Sequence, residues 1–159
     1  MNSSITLGLF LALLGLSSAA WSDTSSRAGS SGDLGVGIEM GQPMGGTAKY
    51  WLSNSMAVDA AAGYHFSGNF DTHADLLLHA FPNFNISQGR MPIYIGMGAR
   101  ILAGDDTQFG FRWPLGLSYL FPSDPIEAFA EIAPILKLNG VGFDMDGAVG
   151  IRFYFKYLK

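Results

Sequence analysis

Polar and apolar residues alternate with a period of two along most of the chain after Asp33. In segment 143–155 the odd positions are mostly bulky and apolar, as at Phe143 and Ile151, whereas the even positions are charged or small, as at Asp144. A period of two places successive side chains on opposite faces of a β-strand. The pattern therefore predicts strands that each have one apolar and one polar face.

Clusters of Gly, Pro, Asn, Asp and Ser separate these segments at strand-length intervals. Several segments approach the roughly 9–11 residues that a tilted transmembrane strand needs. All links except 82–91 are short, which predicts antiparallel neighbours in up-and-down order that close into a barrel without edges. The eight predicted strands cover residues 34–41, 46–53, 56–66, 70–81, 92–102, 108–121, 126–137 and 141–155.

Residue sizes predict which face of this barrel points outward. The polar face is rich in glycine and alanine, and the apolar face carries the bulky side chains. Because an eight-stranded interior is only wide enough to be filled by side chains, the bulky face is expected to point into lipid. Aromatic residues gather near the strand ends in two groups, as membrane interfaces select: Tyr64, Phe66, Phe70, Phe109, Phe111 and Phe143 in one, and Tyr50, Phe81, Tyr119, Phe121, Phe153 and Phe155 in the other.

The charged residues fall almost entirely on the predicted inner face. A two-residue turn at Asn139-Gly140 would place Glu127 opposite Arg152. Because buried charges need partners, we predict a structural ion-pair network that closes the lumen. Its predicted members are Glu39, Lys49, Asp59, Asp71, Asp75, Arg100, Arg112, Glu127, Glu131, Asp144, Asp146 and Arg152.

Composition agrees with a single membrane-embedded domain. The 159 residues leave no room for a second domain, and charged residues make up 14% of the chain, against about 25% in ordinary soluble domains. The nine Lys and Arg residues are outnumbered by 13 Asp and Glu residues, so nucleic acid is not an expected partner. The absence of cysteine from the sequence excludes disulfides and thiolate zinc sites.

The first 22 residues have the order of a signal peptide: an apolar stretch followed by small residues. Cleavage after Ala20 or after Ser22 fits this pattern, and a retained membrane anchor is the alternative. We therefore expect export to a bacterial outer membrane. The resulting division is a signal peptide at 1–22, a flexible lead-in at 23–33, the barrel at 34–155 and a tail at 156–159.

Two groups of residues have the composition of chemical sites. His65 and Ser67, with Asp59 and Asp71 nearby, contain the elements of a serine nucleophile and its base, but a hydrogen bond from His65 to Asp71 is the expected arrangement. Imidazole and carboxylate groups also bind divalent metals.

The histidines and carboxylates of two neighbouring predicted strands share the inner face: His65, His73, His79, Asp71 and Asp75. Residues two apart on a strand are ~6.8 Å apart, so His73 and Asp75 need a third ligand from across the ladder. The sequence therefore assigns no catalytic, cofactor or metal site.

Four segments taken together carry a family resemblance: Lys49–Phe66, Arg112–Phe121, Glu127–Leu136 and the closing segment 140–155. With the leader, they resemble small eight-stranded bacterial outer-membrane proteins of the protein X and protein A type, and uncharacterised outer-membrane barrels of that size. The resemblance implies a last strand that ends on an aromatic residue recognised by the barrel-assembly machinery. Phe155 occupies that place, and Lys156 to Lys159 follow it.

The function that these features predict is an integral outer-membrane barrel with a structural role in the envelope, surrounded by lipid and closed to large solutes. One alternative is an outer-membrane enzyme that modifies lipid A. The other alternative is a soluble periplasmic barrel that binds an apolar ligand.

Overall fold

The computed structural model describes residues 28–82, 88–140 and 142–156. The predicted signal peptide, the first half of the lead-in and the end of the predicted tail lie outside these ranges. Among the described residues, no helix is long and apolar enough to cross a membrane.

Strands account for most of the described residues. Their bounds agree with the predicted bounds to within about two residues, apart from one strand that is divided. The strands are β1 (Asp33–Gly41), β2 (Met44–Trp51), β3 (Met56–Tyr64), β4 (Phe70–Ala80), β5 (Ile93–Ala103), β6 (Gln108–Arg112), β7 (Leu115–Leu120), β8 (Ile126–Lys137) and β9 (Gly142–Lys156).

The strands form one closed antiparallel sheet. Each strand from β1 to β5 pairs with the next, and β9 pairs with both β8 and β1, so the first and last strands close the ring. Strand β5 pairs with both β6 and β7, and so does β8. The predicted all-β up-and-down barrel is therefore confirmed.

The predicted strand 108–121 is divided into β6 and β7 at Trp113 and Pro114. Pairing with β5 continues across the break without a slip, since Gly98 lies opposite Arg112 and Tyr94 lies opposite Gly116. Proline has no N–H to donate to a neighbouring strand. Strands β6 and β7 thus occupy a single strand position in an eight-stranded barrel. That position is interrupted where Pro114 removes an interstrand hydrogen bond.

The strands are strongly tilted around the barrel. A path from Gly35 through its successive cross-strand partners ends at Asp144, ten residues before Tyr154, which is the β9 partner of Gly35. The path runs through Lys49, Asp59, Asp75, Gly98, Arg112 and Ile135. A barrel with such a stagger has strands tilted by about 35–45° from its axis. The stagger brings side chains that are distant in sequence together in the interior.

The barrel has two rims. The terminal rim contains the start of β1, the end of β9 and the links 52–55, 81–92 and 121–125, whereas the hairpin rim contains the links 42–43, 65–69, 104–107 and 138–141. Ala28, predicted to belong to a flexible lead-in, is buried at the terminal rim against Trp51, Leu120 and Tyr154. The Gly32 N–H also donates to the Trp51 carbonyl at 2.8 Å, so the end of the lead-in packs against the barrel.

Candidate functional site: the charged interior

The charged side chains of the strands face the inside of the barrel. In β3, for example, every second residue from Ala57 to Gly63 is buried, and Asp59 lies in this buried row. Of the twelve predicted network residues, all are buried except Asp144, whose side chain is 32% exposed at the hairpin rim. Strand parity alone thus placed these residues on the inner face.

Arg112 links carboxylates from three strands. Its guanidinium donates hydrogen bonds to Asp75 on β4 and to Glu131 on β8. Its Nε atom also lies 4.0 Å from an oxygen of Asp146 on β9. Because Arg112 is 1% exposed, these contacts are shielded from water.

Arg100 forms a second cluster closer to the hairpin rim. Its Nε donates to both oxygens of Asp71 at 3.0 Å, and its Nη2 donates to Asp71 Oδ2 at 2.7 Å. The Nη1 atom of Arg100 lies 3.3 Å from Asp144 and 3.4 Å from Asp146. Lys137 pairs with Asp144 at 3.5 Å, which extends this cluster to the half-exposed edge of the interior.

Glu127 is the centre of the third cluster, on the side of the terminal rim. Lys49 Nζ donates to one oxygen of Glu127 at 2.8 Å, and the Tyr154 hydroxyl donates to the other at 2.6 Å. Arg152 lies 3.5 Å from Glu127 and 3.1 Å from Asp59. The predicted register of Glu127 opposite Arg152 is the one observed.

Glu39 does not join these clusters. It is buried at 3% exposure, yet it forms none of the ion pairs found within residues 28–82, 88–140 and 142–156, and its Oε1 atom has no hydrogen-bond partner. The structure thus brings ten of the other predicted residues and the rim residue Asp144 into ion pairs and leaves Glu39 outside them.

Trp51 and Tyr94 are interior residues that were not among the predicted site residues. His79 lies between the Trp51 and Tyr94 rings, with centroid distances of 4.4 and 5.2 Å. Lys49 Nζ lies 4.9 Å from the Trp51 ring centroid and 5.1 Å from that of Tyr94. The signal that could have found them is strand parity, which places Tyr94 on the same face as Arg100.

Two further polar side chains complete the Glu127 cluster. The Ser118 hydroxyl donates to Glu127, and Arg152 donates to the Thr47 hydroxyl at 2.8 and 3.1 Å. Both side chains are buried, so the charged groups of this cluster have neutral partners as well as opposite charges.

The possible serine nucleophile lies in the hairpin-rim link 65–69. The Ser67 hydroxyl is 2.9 Å from His65 Nδ1, and the Ser67 N–H donates to the same nitrogen at 3.1 Å. The expected hydrogen bond from His65 to Asp71 is wrong: His65 contacts Ser67, whereas Asp71 accepts from Arg100. These contacts stabilise a local turn, and no carboxylate of the described residues hydrogen-bonds the imidazole of His65.

No protein-family model matches the chain, and no curated protein matches it by sequence. The fold is similar to a solved structure, the N-terminal β-barrel domain of Pseudomonas aeruginosa OprF, with a TM-score of 0.53. The two chains are 17% identical, and the match covers 82% of this chain and 100% of that one. At this identity the likeness shows the barrel fold alone.

Proposed function

We propose that this protein is an integral outer-membrane barrel with a structural role in the bacterial envelope. The proposal rests on one observation: the barrel has charged side chains inside and apolar side chains outside, which is the reverse of a soluble protein. Ion pairs fill its interior, while large apolar side chains such as Ile38, Met97 and Val149 cover the outside. Such a surface is costly in water and suits the hydrocarbon of a bilayer.

The exposed aromatic residues support the same orientation. Tyr64, Phe70 and Phe143 lie near the hairpin rim, whereas Tyr50 and Phe155 lie near the terminal rim, and all five are exposed. Two aromatic bands separated by aliphatic side chains are typical of a barrel that meets two membrane interfaces.

The interior favours a closed barrel over a channel. Large side chains, among them Trp51, Tyr94, Arg112 and Arg152, are less than 2% exposed inside it. Because these groups and their partners fill the interior, we propose that large solutes do not pass through it. An apolar ligand, as in the soluble-barrel alternative, would have to displace paired charges.

We further propose that the protein is one of the small eight-stranded outer-membrane proteins of the protein X and protein A type. Lipid and the barrel-assembly machinery are its proposed partners. Strand β9 runs from Gly142 to Lys156, so Phe155 lies in the last stretch of the closing strand. That position agrees with a terminal aromatic signal for assembly.

The test is fractionation of cells followed by gel electrophoresis with and without boiling. We expect the protein in the outer-membrane fraction, resistant to extraction by salt and alkali, with a mobility that shifts on boiling because a closed barrel resists detergent until heated. Release into aqueous buffer, together with a mobility that boiling leaves unchanged, would contradict the proposal and favour a soluble barrel.

We also propose that the barrel carries out no chemistry, since the Ser67–His65 contact stabilises a turn. Ser67→Ala should leave the lipid A profile of the cells unchanged, as should Ser123→Ala in a link of the terminal rim. A change in lipid A with Ser67→Ala alone, in a variant that still shifts on boiling, would favour the lipid-modifying enzyme.

A further inference from the structure

We propose that Asp59, His73 and Asp75 bind one first-row divalent cation, such as Zn²⁺, inside the barrel. Asp59 on β3 lies directly opposite Asp75 on β4, and His73 precedes Asp75 by two residues on the same face. One potential ligand atom from each residue lies within 4.8 Å of the other two. Asp59 is therefore the third ligand from across the ladder that His73 and Asp75 require.

Unpartnered atoms are the second observation that points to a ligand. Asp59 Oδ1, Asp75 Oδ1 and His73 Nδ1 are all buried, and none of them has a hydrogen-bond partner. The three residues are between 2% and 5% exposed. Buried polar atoms in proteins nearly always have partners, so three such atoms on neighbouring residues indicate a missing one.

Two arginines hold the carboxylates without using the free oxygens. Arg152 Nη2 lies 3.1 Å from Asp59 Oδ2, and Arg112 Nη1 contacts Asp75 Oδ2. The Oδ1 atom of each carboxylate has no hydrogen-bond partner, and His73 Nε2 lies 3.8 Å from Asp75 Oδ2. Hydrogen bonds to the second oxygen of a metal-binding carboxylate commonly orient it, and these guanidiniums are placed to do so.

The charge of the interior favours a cation despite these arginines. When all groups are ionised, eight carboxylates and four cations give an excess of four negative charges in the strand interior, and a divalent ion offsets half of it. The carboxylates are Asp33, Glu39, Asp59, Asp71, Asp75, Glu127, Glu131 and Asp146, and the cations are Lys49, Arg100, Arg112 and Arg152.

The donor set selects the class of metal. One imidazole and two carboxylates suit Zn²⁺ and similar first-row ions, whereas Ca²⁺ takes six to eight oxygen ligands. Ligand atoms around tetrahedral zinc are about 3.4 Å apart, given bonds of about 2.0–2.2 Å. The ligand atoms of Asp59, His73 and Asp75 lie within 4.8 Å of one another, so the side chains must move closer together to reach that geometry.

A second group, His65, Asp71 and Asp146, carries no such proposal. Arg100 occupies both oxygens of Asp71, and Ser67 occupies Nδ1 of His65.

The experiment measures zinc retained by the full chain, purified without a histidine tag and refolded in detergent with ZnCl₂ or CaCl₂. Each sample is desalted, checked for the heat-dependent gel shift and analysed by elemental mass spectrometry. His73→Gln and Asp59→Asn remove one ligand each while preserving shape. His79→Gln is the matched control, because His79 is a buried histidine of the same strand face whose two ring nitrogens are also unpartnered.

We expect one retained zinc per barrel in the wild type and in His79→Gln, no retained calcium, and little or no retained zinc in His73→Gln and Asp59→Asn. Wild-type barrels without zinc, or ligand variants that retain it as His79→Gln does, would overturn the proposal. If the ligand variants do not fold, the absorption spectrum of the wild type with added Co²⁺ tests whether the site exists. A visible absorption band of four-coordinate cobalt that zinc displaces supports the site, and its absence refutes it.

Discussion

At the scale of single residues, Arg112 shows how the interior is held together. It joins carboxylates of β4, β8 and β9, which are far apart in sequence and come together only when the barrel closes. Removing one partner of a buried ion pair leaves an uncompensated charge, which costs far more than the pair itself contributes.

Arg112→Met should therefore lower the free energy of unfolding by about 3–5 kcal/mol, since Asp75 and Glu131 lose their partner in a place shielded from water. The measurement is urea unfolding of the barrel in lipid vesicles, in which the boiling-dependent gel shift reports the folded fraction at each urea concentration.

Lys137→Met is the matched control, because Lys137 pairs with Asp144 where both side chains are about one-third exposed. Its removal should cost less than about 1 kcal/mol. Equal losses for the two variants would contradict a tightly paired interior.

The inward direction of these residues could be predicted from sequence, but their partners could not. Alternation alone placed Lys49 and Glu127 on the inner face. Their 2.8 Å contact joins strands β2 and β8, which are not neighbours in the sheet, and it depends on the ten-residue stagger of the closed barrel. No local pattern encodes that stagger, since it is the sum of every register around the ring.

At the scale of elements, the turn of the β8–β9 hairpin depends on the conformation of one glycine. Gly140 in its turn has φ of +82°, a left-handed conformation that other residues rarely adopt, and a methyl group added there would meet no atom within 4 Å. The requirement for glycine is therefore conformational rather than steric.

Gly140→Ala should destabilise the barrel by about 1 kcal/mol, through backbone strain in the turn. Gly147→Ala in β9 should be neutral or slightly stabilising, because an added methyl would meet only the Glu131 carbonyl at an ordinary 3.7 Å. Both values come from the same unfolding assay. A Gly147→Ala loss as large as that of Gly140→Ala would exclude the conformational explanation.

The strands themselves were largely predictable, because polar and apolar residues alternate strictly within them and turn residues separate them. The division at Trp113 and Pro114 was not predicted, although a proline inside a strand was a visible signal. Pro114 is buried like Arg112 and Gly116, so the alternation of buried and exposed residues continues through it. The alternation therefore gives no sign that Pro114 lacks an N–H donor.

At the scale of the whole molecule, we propose that the apolar outside of the barrel contacts lipid. Side-chain size and composition predicted this orientation. The packing of Ala28 at the terminal rim was not predicted, because a Ser- and Gly-rich segment carries no period and its contacts come from the finished rim.

Two tryptophans on opposite faces provide the most direct test of that claim. Trp113 is 43% exposed on the outer face, whereas Trp51 is 0% exposed in the interior. The measurement is tryptophan fluorescence in vesicles of brominated lipid, because brominated chains quench the fluorescence of a tryptophan that they contact. Two variants leave one tryptophan each: Trp21→Phe with Trp51→Phe, and Trp21→Phe with Trp113→Phe. Each must first show the gel shift on boiling.

We expect brominated chains to quench Trp113 strongly and to leave Trp51 almost unchanged. Quenching of Trp51 with Trp113 unaffected would contradict the orientation, and so would a failure of both proteins to associate with vesicles.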